Sequence, residues 1–361
     1  MKEQSQDCSF LCVQSKGGIM NKIRSLYADL LVFPADAKRV RWIDYAKGIA
    51  IILVLVAHAL SGANWFNIWA YSFHLPVFFI LSGLLLSYRK MAQPFGKLLK
   101  KYLKSLILPY YLIAFAVLLV ELAKDLIQKD FSRQNALSLL SEWAFMIGIK
   151  ADWFLPCLFF AILINLLVFK LFRGNKILYP AAILCIAVAA YFIPKESRLL
   201  NVLLHGCVAA LFVCVGVMIS ECKSNCKKAF RFIKKYKVPF TFVFLALNVL
   251  LTVLNGKVSL SEFNFGKNYV LYLINGVVGS LFLLLFCKWI EKPKLRLINY
   301  CGKNSLVIMA VHMEIMALVG AVLAFLLPET SALFICLNII ISFVVSVLCI
   351  PFVNFVLKKI K

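Results

Sequence analysis

Residues 332–357 read ALFICLNIIISFVVSVLCIPFVNFVL, an apolar run without one Asp, Glu, Lys, Arg or His. At a rise of about 1.5 Å per residue, a helix of this length covers about 39 Å, more than a hydrocarbon core of about 30 Å. Working back from this run, similar apolar blocks recur through the chain, separated by short basic stretches. They place ten spans at residues 45–62, 67–87, 105–122, 153–172, 177–194, 200–220, 238–254, 269–289, 305–327 and 332–357. With 63% hydrophobic and 16% charged residues, the composition lies far from that of soluble domains. Only helices and closed barrels satisfy every backbone polar group in lipid, and the period-two alternation of a barrel is absent. The sequence therefore predicts an all-α polytopic membrane bundle. Residues 136–149 are apolar but carry Glu142, and about 14 residues span only about 21 Å, so they are expected to be interfacial or re-entrant.

The net charge of +24 raises nucleic acid as a partner, but its distribution argues against that. When alternate connections are assigned to alternate sides, 32 of the 40 Lys and Arg fall on the side of the N-terminus and 8 on the other. That asymmetry follows the positive-inside rule and places both termini in the cytoplasm of an inner-membrane protein whose basic face meets anionic lipid. No nucleic acid is needed to explain it. The twelve cysteines avoid the outer connections, which leaves no extracytoplasmic disulfide framework. Cys222 and Cys226 lack the further ligands of a zinc site, so no metal is expected. Residues 1–38 form a cytoplasmic segment in which 20–33 has the pattern of an amphipathic helix lying on the inner leaflet, and residues 39–361 form the membrane domain.

Ionisable residues within spans are costly and mark function. The first span contains His58 and starts with Asp44 and Lys47; the second contains His74 followed by Pro76; the ninth contains His312 and Glu314; His205 lies near the outer end of the sixth. A four-residue connection makes the first two spans antiparallel neighbours, which brings His58 and His74 together in the outer half of the membrane. A neutral imidazole there can serve as general base, if a cavity hydrates it. Counted from its own span boundary, His312 is expected in the inner half. Glu314, about 200° round the helix from His312, is expected to face elsewhere. Lys97, Lys100, Lys101 and Lys104 form a basic cluster at the inner mouth that suits phosphate groups. Trp65, Trp69 and Trp153 fall at the outer boundary, as an aromatic belt or as sugar-stacking surfaces.

Four blocks, RVRWIDYAKGIAIILVLVAHAL, YSFHLPVFFILSGLLLS, DWFLPCLFF and GKNSLVIMAVHMEIM, in this order and spacing, resemble the integral-membrane acyltransferase family 3, in particular its sugar O-acetyltransferase branch. The resemblance covers residues 39 to the C-terminus. It implies transfer of an acyl group, acetyl foremost, from cytoplasmic acyl-CoA to a hydroxyl of a cell-surface or lipid-linked glycan. It maps the first-span histidine onto His58, eleven positions after the basic residue Lys47, and the paired basic residues ahead of the third span onto Lys101 and Lys104. These are Lys where the family commonly has Arg. His74 and Pro76 fall in the second-span block. The implied roles are His58 and His74 in catalysis and Lys47, Lys101 and Lys104 on the donor phosphates, with Asp44, His312 and Glu314 as further candidates. A proton-coupled transporter or flippase would also use buried histidines, but neither repeat symmetry nor matched broken helices are present.

Overall fold

The computed structural model describes residues 40–360 except 61–63, 130, 196, 226–230, 234 and 293. The expected leaflet helix at 20–33 lies outside the described residues. The chain is a helical bundle. Among the described residues, nine helical stretches are long and apolar enough to cross a membrane.

The first crossing is α1 (Arg41–Ala59). The second is broken into α2 (Trp65–Tyr71) and α3 (His74–Leu85). Pro76 causes the break. Its ring would clash with the carbonyl four residues back, and it has no N–H to donate, so it sits in the first turn of a new helix where that donor is not missed. A short α4 (Tyr88–Met91) turns the chain into α5 (Phe95–Tyr102), which continues through a widened π segment, Leu103–Ile107, into α6 (Leu108–Gln128). Pro109 follows that segment and explains the widening. The third crossing thus begins ten residues earlier than the hydropathy of 105–122 predicts, because the lysine-rich stretch is itself helical.

The helix α7 (Arg133–Ala144) folds back along α6. Asn135 Nδ2 donates to Asp125 Oδ2 at 2.6 Å, and Trp143 Nε1 donates to the Tyr111 carbonyl at 3.1 Å. These pairings are antiparallel, so α7 returns beside α6 and does not cross. A 3₁₀ turn, Lys150–Trp153, leads into α8 (Phe154–Leu171), then α9 (Leu178–Phe192) and α10 (Arg198–Asn225). At 15 residues α9 covers about 22 Å, yet it has to cross. Asn165 of α8 donates to Ala210 of α10 at 2.9 Å, and Gly206 lies against Phe160, so the two helices run parallel and the chain between them must return. Asn165 also accepts from the Tyr179 hydroxyl of α9 at 2.5 Å, which ties all three helices together. The remaining elements are α11 (Lys237–Asn255), α12 (Tyr269–Trp289), α13 (Arg296–Lys303), α14 (Ser305–Ala324) and α15 (Ala332–Ile360).

Lipid supplies no hydrophobic drive between helices, so contact depends on small residues and interhelical hydrogen bonds. Both devices are present. A Cβ on Gly83 of α3 would collide with the Val213 carbonyl of α10, and one on Gly216 of α10 with the Ile80 carbonyl of α3. Ser72, at the α2–α3 break, accepts from Asn248 Nδ2 of α11 at 3.2 Å, and Asn248 also donates to Asn275 of α12 at 2.6 Å. Asn275 in turn donates to Thr252 at 3.0 Å, which completes a buried polar cluster across three crossings.

Candidate active site

The position of the site is set by the register between α1 and α13–α14. Gly302 of α13 packs on the backbone of Asp44 and Gly48, Gly48 packs on Ile298, and the Leu295 N–H donates to the Tyr45 hydroxyl at 3.1 Å. Helical carbonyls point toward the C-terminus, so the reciprocal contacts of Gly302 with the Asp44 carbonyl and of Gly48 with the Ile298 carbonyl set Gly302 level with Gly48 on parallel helices. His58 follows Gly48 by ten residues and His312 follows Gly302 by ten. The two imidazoles accordingly meet, with ring centroids 5.4 Å apart. This corrects the expectation that His312 lies in the inner half. The crossing helix does start at Ser305, but the helical residues ahead of it pack against α1 and set the level of His312.

Tyr71 of α2 joins the pair, its hydroxyl 3.5 Å from His58 Nδ1 and its ring 4.8 Å from that of His74. His74 Nδ1 lies 2.8 Å from the Ala70 carbonyl, and His312 Nδ1 lies 2.8 Å from the Met309 carbonyl. A carbonyl oxygen only accepts, so both Nδ1 atoms carry the proton and both Nε2 atoms are the basic ones. His312 Nε2 is buried and meets no hydrogen-bond partner. His74 is 2% exposed and His312 fully enclosed, while His58 is only half-buried. Of the three, His58 presents the most accessible surface.

His58, Tyr71 and His74, but not His312, form the floor of a cavity of about 430 Å³ that Trp153, Arg198, Asn201, His205 and Ser261 also line. Its walls come from the connection 145–153, the start of α10 and the connection 256–268, all at the end of the bundle away from Arg41. Of the three boundary tryptophans, only Trp153 lines it; Trp65 is exposed and Trp69 packs on Phe73 and Phe282.

The other predicted residues stand apart from this cavity. Glu314 faces away from the histidines, as its angular offset predicts, and pairs with Lys124 at 2.7 Å and Lys150 at 2.8 Å. Glu121 holds the same two lysines at 2.7 Å, which closes a four-membered ion network beside the cavity. Asp44 is buried on α1 about 21 Å along the helix from His58, with Lys47 half-buried one turn on. Lys101 and Lys104 are exposed on α5 and the π segment, at the opposite end from the cavity. Sequence reasoning gave no weight to Asn201 and little to His205. With Arg198 they occupy positions i, i+3 and i+7 of α10, a polar stripe on an otherwise apolar helix that the sequence displays. No group of three or more potential metal ligands occurs among the described residues.

Residues 40–350 match the family model described as an acyltransferase domain, acyltransferase family 3. The chain is also 28% identical over 188 residues to nodulation protein NolL of Sinorhizobium fredii (strain NBRC 101917 / NGR234), a match over 49% of this chain and 48% of the relative. The chain thus spans about half the length of that curated relative. No solved structure matches. With nearly the whole bundle covered by the family model, this multi-pass helical chain belongs to the integral-membrane acyltransferase family 3.

Proposed function

We propose that the protein acetylates a hydroxyl of a cell-surface or lipid-linked glycan with acetyl-CoA as donor, in an inner membrane with both termini cytoplasmic. The observation that carries this reading is the single half-buried imidazole, His58, at the floor of a cavity that opens at the end remote from the exposed lysines. The donor binds at the basic end, with its phosphates on Lys101 and Lys104 and with Lys47 below His58. Eleven residues of α1, about 16 Å, separate Lys47 from His58, and the pantetheine arm covers that distance between helices. The acceptor enters the cavity from the other end.

In the chemical step His58 removes the acceptor hydroxyl proton as the oxygen attacks the thioester carbonyl. The C–S bond breaks and the proton passes to the departing thiolate, which leaves as free CoA. His312 and Tyr71 orient the His58 ring; His74, held by Ala70, shapes the floor beside it. An acetyl-imidazole on His58 would use the same geometry in two steps.

The test is product identity. Membranes carrying the protein and fed acetyl-CoA radiolabelled in the acetyl group are expected to yield glycan bearing alkali-labile label, and membranes without it none. Label recovered only as unchanged donor, with native glycan supplied, would reject acetyl transfer.

A further inference from the structure

The cavity reaches past His58. Val54 lines it one helical turn closer to the Arg41 end of α1, and Met309 does the same on α14, three residues before His312. Val54 follows Gly48 by six residues and Met309 follows Gly302 by seven, so the level packing of those glycines puts the two at nearly one height. Leu75 of α3 and Phe154 of α8, helices that run toward the Arg41 end, complete this part of the lining. Each of the four is the lining residue of its own helix nearest that end, so the recess is one turn deep, about 5 Å. It is closed beyond that: Ile51, a turn further down α1, is 1% exposed and does not line the cavity.

The lining is divided by chemistry. Its polar members other than the floor come from α10, the connection 256–268 and the turn before α8, whereas the recess below His58 is apolar throughout. Two reactants must meet at His58. A hydroxylated acceptor is polar over its whole surface, and only the donor's acyl tail is not. A hydroxyl buried against four side chains that offer no hydrogen bond is penalised, while a methyl buried there is favoured. The recess also lies on the side of His58 from which the donor comes.

We infer that Val54, Leu75, Phe154 and Met309 form the subsite for the donor's acyl group, and that its shallow depth restricts that group to acetyl or propionyl. The inference rests on the proposed acyl transfer and is tested with and without turnover. Full-length protein in lipid nanodiscs is supplied with native glycan and with acetyl-, propionyl-, butyryl- or octanoyl-CoA. Wild type is expected to lose about tenfold or more in kcat/KM from propionyl to butyryl. Val54→Ala and Met309→Ala, which deepen the recess, are each expected to raise the butyryl-to-acetyl ratio about tenfold. Val54→Leu, which fills it, should lower the propionyl-to-acetyl ratio by a similar factor. A merely structural effect would lower all donors alike and leave these ratios fixed. Without turnover, a membrane-impermeant methanethiosulfonate should modify the thiol introduced by Val54→Cys and spare the one introduced by Ile51→Cys, with mass spectrometry locating the label. Octanoyl used as well as acetyl by wild type, ratios unchanged in all three variants, or equal labelling of the two thiols would overturn the subsite and leave acyl transfer standing. Wild type that transfers no acyl group from any donor would instead reject the reaction and the acyl role of the recess together.

Discussion

His58→Ala is expected to lower acyl transfer by about 10²–10⁴-fold, the range that a positioned general base contributes. The expectation rests on access. His312 is fully enclosed; His74 lines the cavity at 2% exposure, and His58 lines it half-buried and presents the most surface to a substrate. The loss should appear in kcat with the donor KM unchanged, since the lysines proposed to hold the donor lie at the end of the bundle away from the cavity. His312→Phe preserves the ring shape beside His58 but removes its nitrogens, and Tyr71→Phe removes the hydroxyl 3.5 Å from His58 Nδ1. Both act through His58, so their losses should be smaller and should nearly vanish in the His58→Ala background. Labelled ester formed per unit of folded protein is the measurement. A His58→Ala variant that retains wild-type rate removes His58 from the chemistry.

Gly302→Ala and Gly96→Ala are the same chemical change with opposite expected signs. The Cβ of the first would lie inside the Asp44 carbonyl, a backbone atom that cannot rotate aside. Separating α13 from α1 opens the contact that sets Gly302 level with Gly48, and with it the 5.4 Å approach of His312 to His58. Overpacking against fixed backbone destabilises by about 3 kcal/mol. At Gly96, on exposed α5, an added Cβ meets no atom within 4 Å, and alanine in a helix is favoured over glycine by up to about 1 kcal/mol. Thermal unfolding in nanodiscs should therefore fall clearly for Gly302→Ala and hold or rise for Gly96→Ala. Equal midpoints for the two variants would show that the α1–α13 contact does not set the register.

The crossings were legible because each is a local property, length and apolar content within about twenty residues. The neighbourhood of His58 and His74 was legible for a related reason, since a four-residue connection leaves two antiparallel helices no choice of partner. The meeting of His58 and His312 lies 254 residues apart in sequence and depends on which turn of α13 abuts α1. Hydropathy could not supply that, because the amphipathic helix α13, Arg296–Lys303, lies ahead of the crossing and is not apolar enough to stand out. The equal ten-residue spacings from Gly48 to His58 and from Gly302 to His312 were present in the sequence, but only the packed glycines give them meaning. Ser72, Asn248, Thr252 and Asn275 illustrate the same limit: each is a lone polar residue in an apolar run until its partners on other helices are known. Asn201 and His205 were readable as a stripe, though not as part of the cavity wall.

The central claim is that the acyl group travels from the basic end of the bundle to the cavity at the other end. Proteoliposomes test it directly, because CoA thioesters and glycans do not cross lipid unaided. With radiolabelled acetyl-CoA on one face and the glycan acceptor confined to the other, labelled ester is expected; with both confined to the same face, little or none. Ester formed only when donor and acceptor share a face would contradict the account.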